Sequence, residues 1–569
     1  MAPSRLRASA AAKVLARLEA IRFEFGPRFA RERRALLARA ARTRHRRARD
    51  LLRLHECLVL ARAYPDDRAT LARVERLLRS FAKRADLARH RRALAGSGIA
   101  GTLTRYRFFA PTALRLARLW PGRLTYDWNE WDDPARLEEL LSLLAVHGES
   151  PALDEYDLGV RGWLARMKGP REGDAAFVMR RLAARVRDPF VFEKLVDGMD
   201  APMALAAGPG GPSRTLAKWR QAKIRFQRGP LRRDRPDLRA ELARAPLSVR
   251  ELSAREGGRF VAMAGEAMVT RARDLDAFAY ADPRDVRLVD CGDGLVFACL
   301  GLLPERRLLI ESVYGFLTLR NGVPTGYVLT STLYRSAEIA YNIFETNRGG
   351  EAAAVYGRVL AMTRHLFGAD SFVVTPYQLG GAGNEEGLAS GAWWFYRKLG
   401  FAPRAAWARR AMRAEEASLA RHPGRRSGRR FLARIAEENV HWHAGAARSD
   451  VLGVLPLAKA GFAVTDYLAR RFGGEGDRGA AVCAREAAAL LGAGPGRGWT
   501  AGERLAWERW APLALLLPGV KRWSAAERLA LAAVMRAKGG RRESDFVRAF
   551  DAHPKLGAAV ARVAKGARA

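Results

Sequence analysis

The sequence predicts an α+β chain, with a central mixed-sheet domain at residues 245–404 between large, mostly α-helical N- and C-terminal regions. Three observations predict it. Apolar residues recur at spacings of three and four through both flanks. From 286 to 345 that period gives way to strand-like runs separated by turn residues. Beyond 345, helical and strand-like segments alternate before the helical pattern resumes. The expected division is a basic helical region at 1–206, a linker and basic segment at 207–244, the mixed-sheet domain, and a helical region at 405–569.

The N-terminal region opens with Val14, Leu15, Leu18 and Ile21 at helical spacing, followed by Leu51, Leu52, Leu54 and Leu58. Between them, RERRALLARAARTRHRRARD is a dense basic run with Leu36 and Leu37 as its few apolar anchors. It reads as the solvated face of a long helix or as a phosphate-contacting element. In PGRLTYDWNEWDDPA, four carboxylates alternate with Trp128 and Trp131. Such a cluster suits a cation pocket, but Asp132 or Asp133 before Pro134 reads better as a helix cap. AAGPGGPS at 206–213 breaks the pattern.

In the centre, two strand-like runs flank Cys291-Gly292-Asp293-Gly294, and two more flank Asn321-Gly322, a pair suited to the positive φ angles of a tight hairpin. SAEIAYNIFE (336–345) is a further strand, 352–366 a helix, SFVVTPYQL (371–379) a strand, and Leu388, Ala392, Phe395 and Leu399 mark one more helix. After 404 the chain reads as helical to its end. There WTAGERLA and WSAAERLA each carry a capping box, Thr500 with Glu503 and Ser524 with Glu527.

Composition limits the function classes. The 569 residues hold 49% hydrophobic residues, enough for packed cores, and a formal charge of +39. That surplus attracts nucleic acid, an acidic partner or an anionic membrane surface. An Arg-, Ala- and Gly-rich compositional bias explains it equally well. Four widely spaced cysteines form no zinc or disulfide pattern. With no secretory signal and no apolar run long enough to span a bilayer, a cytoplasmic protein without a transmembrane segment is expected. His441-Trp442-His443 sits where the flanks read as helix end and loop, so no metal is expected.

The chemistry concentrates at 337–403. The Gly349-Gly350 pair opens a helix, where converging backbone N–H groups and the helix N-terminus favour an anion such as a pyrophosphate. Arg348 adds a charge-assisted contact. The segment Arg348-Gly349-Gly350-Glu351-Ala352-Ala353, followed by strand, helix and Phe395-Tyr396-Arg397-Lys398-Leu399-Gly400-Phe401, resembles the core of the GNAT N-acyltransferase superfamily. The core motifs span about 65 residues, and with the upstream hairpins the resemblance covers about 160 of the 569.

The resemblance implies acetyl-CoA or another acyl-CoA as co-substrate, bound by 348–353, and an unidentified amine as acceptor. It implies that Tyr396 is the acid toward the departing sulfur. Glu351 occupies the loop's central glycine position if Arg348 comes first; a register starting at Asn347 restores the glycine but loses the arginine. The family often places asparagine seven residues before the tyrosine. That position is Ala389 here, and Asn384 from the long loop 380–387 is expected in its place. Of the two strand carboxylates, Glu338 and Glu345, a spacing of seven puts only one toward a cleft on a regular strand, and Glu345 is the expected base. The second reading is a catalytically degenerate interaction protein of the same fold, whose basic helices bind nucleic acid, an acidic partner or an anionic membrane.

Overall fold

The computed structural model describes residues 10–221, 223–273 and 275–566. The chain divides into two units: Met1–Leu231 with Arg259–Tyr280 and Arg320–Pro324, and Arg232–Gly258 with Ala281–Leu319 and Thr325–Ala569.

The first unit has two apolar cores. In one, the helices Ala10–Ala20, Pro27–Arg42, Ala48–Ala63 and Arg68–Arg79 bury Val14, Leu15, Leu18, Leu37, Leu54, Leu58 and Val74. The basic run is therefore not uniformly solvated. Arg33 is buried, pairs with Asp66, and donates to the carbonyls of Ile21 and Glu24 at 2.7 Å. In the other core, helices pack with a three-stranded antiparallel sheet of order β1-β3-β2: β1 Thr104–Tyr106, β2 Leu124–Tyr126 and β3 Met203–Leu205. This sheet was hidden by its strands of three residues, too short to show a period.

The tryptophans of the acidic stretch serve that second core. Trp131 is buried, 4.7 Å from the Tyr126 ring and 5.3 Å from Trp128. Trp128 Nε1 donates to Asp174 at 2.7 Å, and Arg161 covers its ring. The helix Ala135–Glu139 starts with Pro134 at its N-cap position and no side-chain cap; Asp133 accepts from Ala135 N at 3.1 Å just before it, so neither Asp132 nor Asp133 is the expected cap.

The second unit is built on a nine-stranded sheet, β4 Ser248–Glu251, β5 Ala281–Asp290, β6 Leu295–Leu302, β7 Ser312–Arg320, β8 Val323–Leu333, β9 Ser336–Ile343, β10 Ser371–Val374, β11 Ala402–Pro403 and β12 Val440–His443. The order is β11-β12-β10-β9-β8-β7-β6-β5-β4. The mixed α+β class is therefore observed. The β7–β8 turn takes φ of +50° at Asn321 and +79° at Gly322, the conformation for which this pair is suited. β9 and β10 pair in parallel, joined by the helix Ala352–Phe367, while β8 and β9 are antiparallel, as are β10 and β12.

Three boundaries differ from expectation. The 371–379 strand stops at Val374, since Pro376 opens a one-turn helix instead. The helix expected around 388–399 is two, Glu385–Ser390 and Ala392–Lys398, parted by Gly391 at φ +68°. The region after 404 is not all helix. Val440–His443 is a strand lying between β10 and β11, its four residues too few to announce themselves.

The C-terminal helices start as their capping boxes require. Glu503 accepts from Thr500 N at 2.6 Å and Glu527 from Ser524 N at 2.8 Å. These helices are tied to the sheet by buried charge. Lys538 Nζ lies 2.6 Å from Glu543 Oε1, with both side chains almost wholly buried, and also donates to the carbonyl of Glu311 at 2.9 Å. Arg307 donates to the carbonyls of Lys538 and Gly540 at 2.7 and 2.6 Å. Tyr314 Oη donates to Asp285 and accepts from Ser544 N.

Removing one member of such a pair strands a buried charge, at about 3 kcal/mol or more. Glu543→Ala should therefore raise amide hydrogen exchange across 525–552 by about a hundredfold. Unchanged exchange would show that the pair does not fasten these helices.

Candidate functional site

The site begins where two parallel strands separate. β10 pairs with β9 at Ser371–Ser336, Phe372–Ala337 and Val373–Glu338. β10 then ends at Val374, while β9 continues to Ile343 beside β8. Beyond Glu338, the β9 edge that β10 has left faces a cleft of about 310 Å³. Its walls are Tyr341–Ile343 of β9, Arg348 and Gly349 of the following loop, Ala352 at the helix start, and Phe395 and Tyr396 of the Ala392–Lys398 helix. Gln378, Asn384, Glu386 and Ser390 close the remaining side.

The loop after β9 turns through Gly349 at φ +83°, a conformation costly for a side chain with Cβ, and delivers the chain into the helix Ala352–Phe367. No side chain caps that helix. Its first N–H groups are thus left without a side-chain acceptor at the cleft wall, and its dipole adds partial positive charge there. Glu351 precedes the helix but accepts a hydrogen bond from Arg232 N at 3.4 Å. Arg348 is paired with Glu386, both half-exposed.

Tyr396 is 3% exposed and lines the cleft. Burial pushes its phenol well above the ordinary tyrosine range, so it stays protonated at neutral pH. Its ring is wedged edge-on against Tyr356 at 5.4 Å and Phe395 at 5.1 Å. Tyr341 packs on the same cluster, 5.4 Å from Tyr356, so odd-numbered β9 residues face the Ala352–Phe367 helix. Alternation then puts Glu338, Ala340 and Asn342 on the opposite face. They stand beside Ser331, Leu329 and Tyr327 of β8. There Glu338, Ala340, Asn342, Leu329 and Ser331 are only half-buried, forming an accessible strip.

Glu338 lies on this strip at the last paired position before the strands part. It accepts from Thr375 Oγ1 at 3.2 Å, and partial burial raises its pKa above the usual carboxylate range. Glu345 has no such place. The strand ends at Ile343, Glu345 falls in the turn Glu345–Asn347, and its exposed side chain is not on the cleft wall. The expectation of Glu345 as a cleft-facing strand residue is corrected by this early end.

Of the other expected residues, Arg348, Gly349, Ala352 and Asn384 line the cleft, and Gly350, Glu351 and Ala353 do not. Asn384 is engaged locally: Oδ1 accepts from Gly387 N at 3.0 Å and Nδ2 donates to the Tyr377 carbonyl at 2.7 Å. Tyr341, Asn342, Gln378, Glu386, Ser390 and Phe395 were missed as wall residues. For Tyr341 a signal existed, because its parity on β9 follows from that of Ile339.

His441 and His443 share one face of β12, their rings parallel and 6.2 Å apart, and His443 Nδ1 is 3.0 Å from Ser371 Oγ. Burial and Arg404 lower both pKa values. Among the described residues no group of three or more His, Cys, Asp or Glu side chains is arranged to hold a metal ion. The four cysteines are buried and free, and no described helix is long and apolar enough to cross a membrane. No family model, curated protein or solved structure matches the chain.

The raised Glu338 pKa has a measurable sign. The folded state binds its proton more tightly than the unfolded state, so stability falls as pH rises from the unfolded value of about 4.3 through the folded one. Glu338→Gln should flatten that fall in a melting-temperature profile. An identical profile would mean that Glu338 titrates like a solvated carboxylate.

Proposed function

We propose that the chain is an acyl-CoA-dependent N-acyltransferase of the GNAT type, transferring an acetyl or other acyl group to an amine. The observation that carries this reading is the parting of β9 and β10 directly beside the uncapped N-terminus of the Ala352–Phe367 helix. An acyl-CoA has an anionic pyrophosphate and an extended arm containing two amides. The helix N-terminus and Arg348 suit the first. The β9 edge, whose outward N–H and C=O groups lose their β10 partners after Glu338, suits the second by strand addition.

In this reading the acyl-CoA lies on the helix side of the fork and the amine approaches along the half-buried strip on the other face. The amine nitrogen attacks the thioester carbonyl carbon, forming the C–N bond as the C–S bond breaks. Glu338 takes the proton from nitrogen, its raised pKa bringing it nearer the range of an effective base. Tyr396 gives its proton to the departing sulfur, yielding amide and free thiol, and is reprotonated from solvent. For the phosphates to dock, Arg348 exchanges Glu386 for the ligand.

Calorimetry with acetyl-CoA and with free CoA tests the binding half. Both should bind the wild type saturably. Ala352→Asp should keep the fold, because an acid in the first turn suits the helix dipole, yet weaken CoA at least tenfold by placing charge where the pyrophosphate docks. Equal affinity in the variant would move the phosphates elsewhere, and no binding to the wild type would reject the reading.

The catalytic half is tested by turnover with an amine panel. Tyr396→Phe and Glu338→Gln should each lower turnover by about a hundredfold or more with CoA affinity nearly intact. The rate should rise with pH through the Glu338 titration in the wild type, and that limb should vanish in Glu338→Gln.

A further inference from the structure

A second surface, wholly within the first unit, has no part in the acyltransferase reading. Two basic segments meet there: the end of the Pro27–Arg42 helix with the loop after it, and the chain from Lys83 past the helix Ala85–His90. They are fastened by three hydrogen bonds. Arg84 donates to the Thr43 carbonyl at 2.8 Å, His45 N donates to Asp86 at 3.0 Å, and His90 Nε2 donates to the His45 carbonyl at 3.4 Å.

Those bonds hold the segment carrying exposed Arg44, Arg46 and Arg47 against the one carrying exposed Lys83, Arg89 and Arg91, and Arg44 and Lys83 line one concavity. Residues 39–49 contain no acid, and residues 80–97 contain one, Asp86. Asp86 is buried and its charge is taken up by Arg84 at 2.7 Å and by His45 N. The carboxylate nearest in sequence, Asp50, is paired with Arg53. Between the two segments lies a concavity of about 200 Å³. Arg44, Lys83 and Arg84 line it over a floor of Leu54, Leu58 and Phe81. An apolar floor beneath converging cations lowers the local dielectric and strengthens their field.

We infer that this surface binds the phosphodiester backbone of a nucleic acid, independently of base sequence. Of these named cations all but Lys83 are arginine, whose planar fork matches phosphate in pairs of hydrogen bonds. A bilayer fits less well. Among the described residues of 39–49 and 80–97 no large apolar side chain is exposed, so nothing is offered to the acyl region of a membrane. Elsewhere in the unit, large apolar side chains such as Tyr156 and Val191 are exposed, so their absence here is a property of the patch.

The test is fluorescence anisotropy of the full chain with a short labelled DNA duplex, an RNA single strand of the same length, and phosphatidylserine vesicles. The quadruple variant Arg44→Gln, Arg46→Gln, Arg47→Gln, Lys83→Gln is compared with an equal loss of exposed charge in the second unit, at Arg410, Arg413, Arg426 and Arg430. The wild type should bind at least one nucleic acid, with affinity falling steeply between about 50 and 200 mM salt. The first variant should bind at least tenfold more weakly, with a log–log salt slope shallower by about three units, while the second stays near wild type. A charge-retaining Arg44→Lys, Arg46→Lys, Arg47→Lys variant should keep the slope, which separates lost charge from lost fold. Equal weakening in both quadruple variants, binding to vesicles alone, or no binding at all would overturn the inference.

Discussion

The second unit depends on one constraint: β9 and β10 stay paired for three residue pairs and then part. A sheet that remained zipped would fill its own centre and leave no cleft. One that never paired would leave the Ala352–Phe367 helix without the crossover that aims its N-terminus. The fork does three things together. It frees a strand edge, brings a helix start to the opening, and places the half-buried Glu338 at the vertex, on the face opposite the helix.

A fork is useful only if its closed end is firm, and the segment after β12 provides that. Arg448 joins Asp370 at 2.9 Å to the Tyr334 carbonyl at 2.9 Å, across the starts of β9 and β10. Leu452 N donates to Ser336 Oγ, and Ala444 N to the Asp370 carbonyl. On the open side, Tyr356, Phe395, Tyr396 and Phe401 interlock at ring separations of 5 to 6 Å. The phenol of Tyr396 is thereby fixed against the cleft rather than left on a rotating surface side chain.

Much of this was legible in the sequence because it rests on local rules. The Asn321-Gly322 turn, both capping boxes, the β9–helix–β10 alternation and the Gly349 loop follow from φ requirements and from apolar period. What was hidden depends on contacts far apart in the chain. β12 has four residues and gains its identity only between β10 and β11. Arg348 meets Glu386 across 38 residues, and the strand before Glu345 ends where β10 has already withdrawn. The acidic Trp stretch was legible as a helix entrance at Pro134, while the packing of its indoles on Tyr126 and Asp174 was not. The basic run was hidden in another way: Arg33 and Arg46 look alike in sequence, yet one is buried on Asp66 and the other is exposed.

Hydrogen–deuterium exchange with and without acetyl-CoA tests whether the fork holds an acyl-CoA, because it reports where a ligand sits without assuming the acceptor. Slowed exchange is expected in three stretches alone: the β9 edge at 339–343, the loop and helix start at 348–355, and the walls at 384–396. Protection elsewhere, or none at saturating ligand, would contradict the assignment of this fork as an acyl-CoA site.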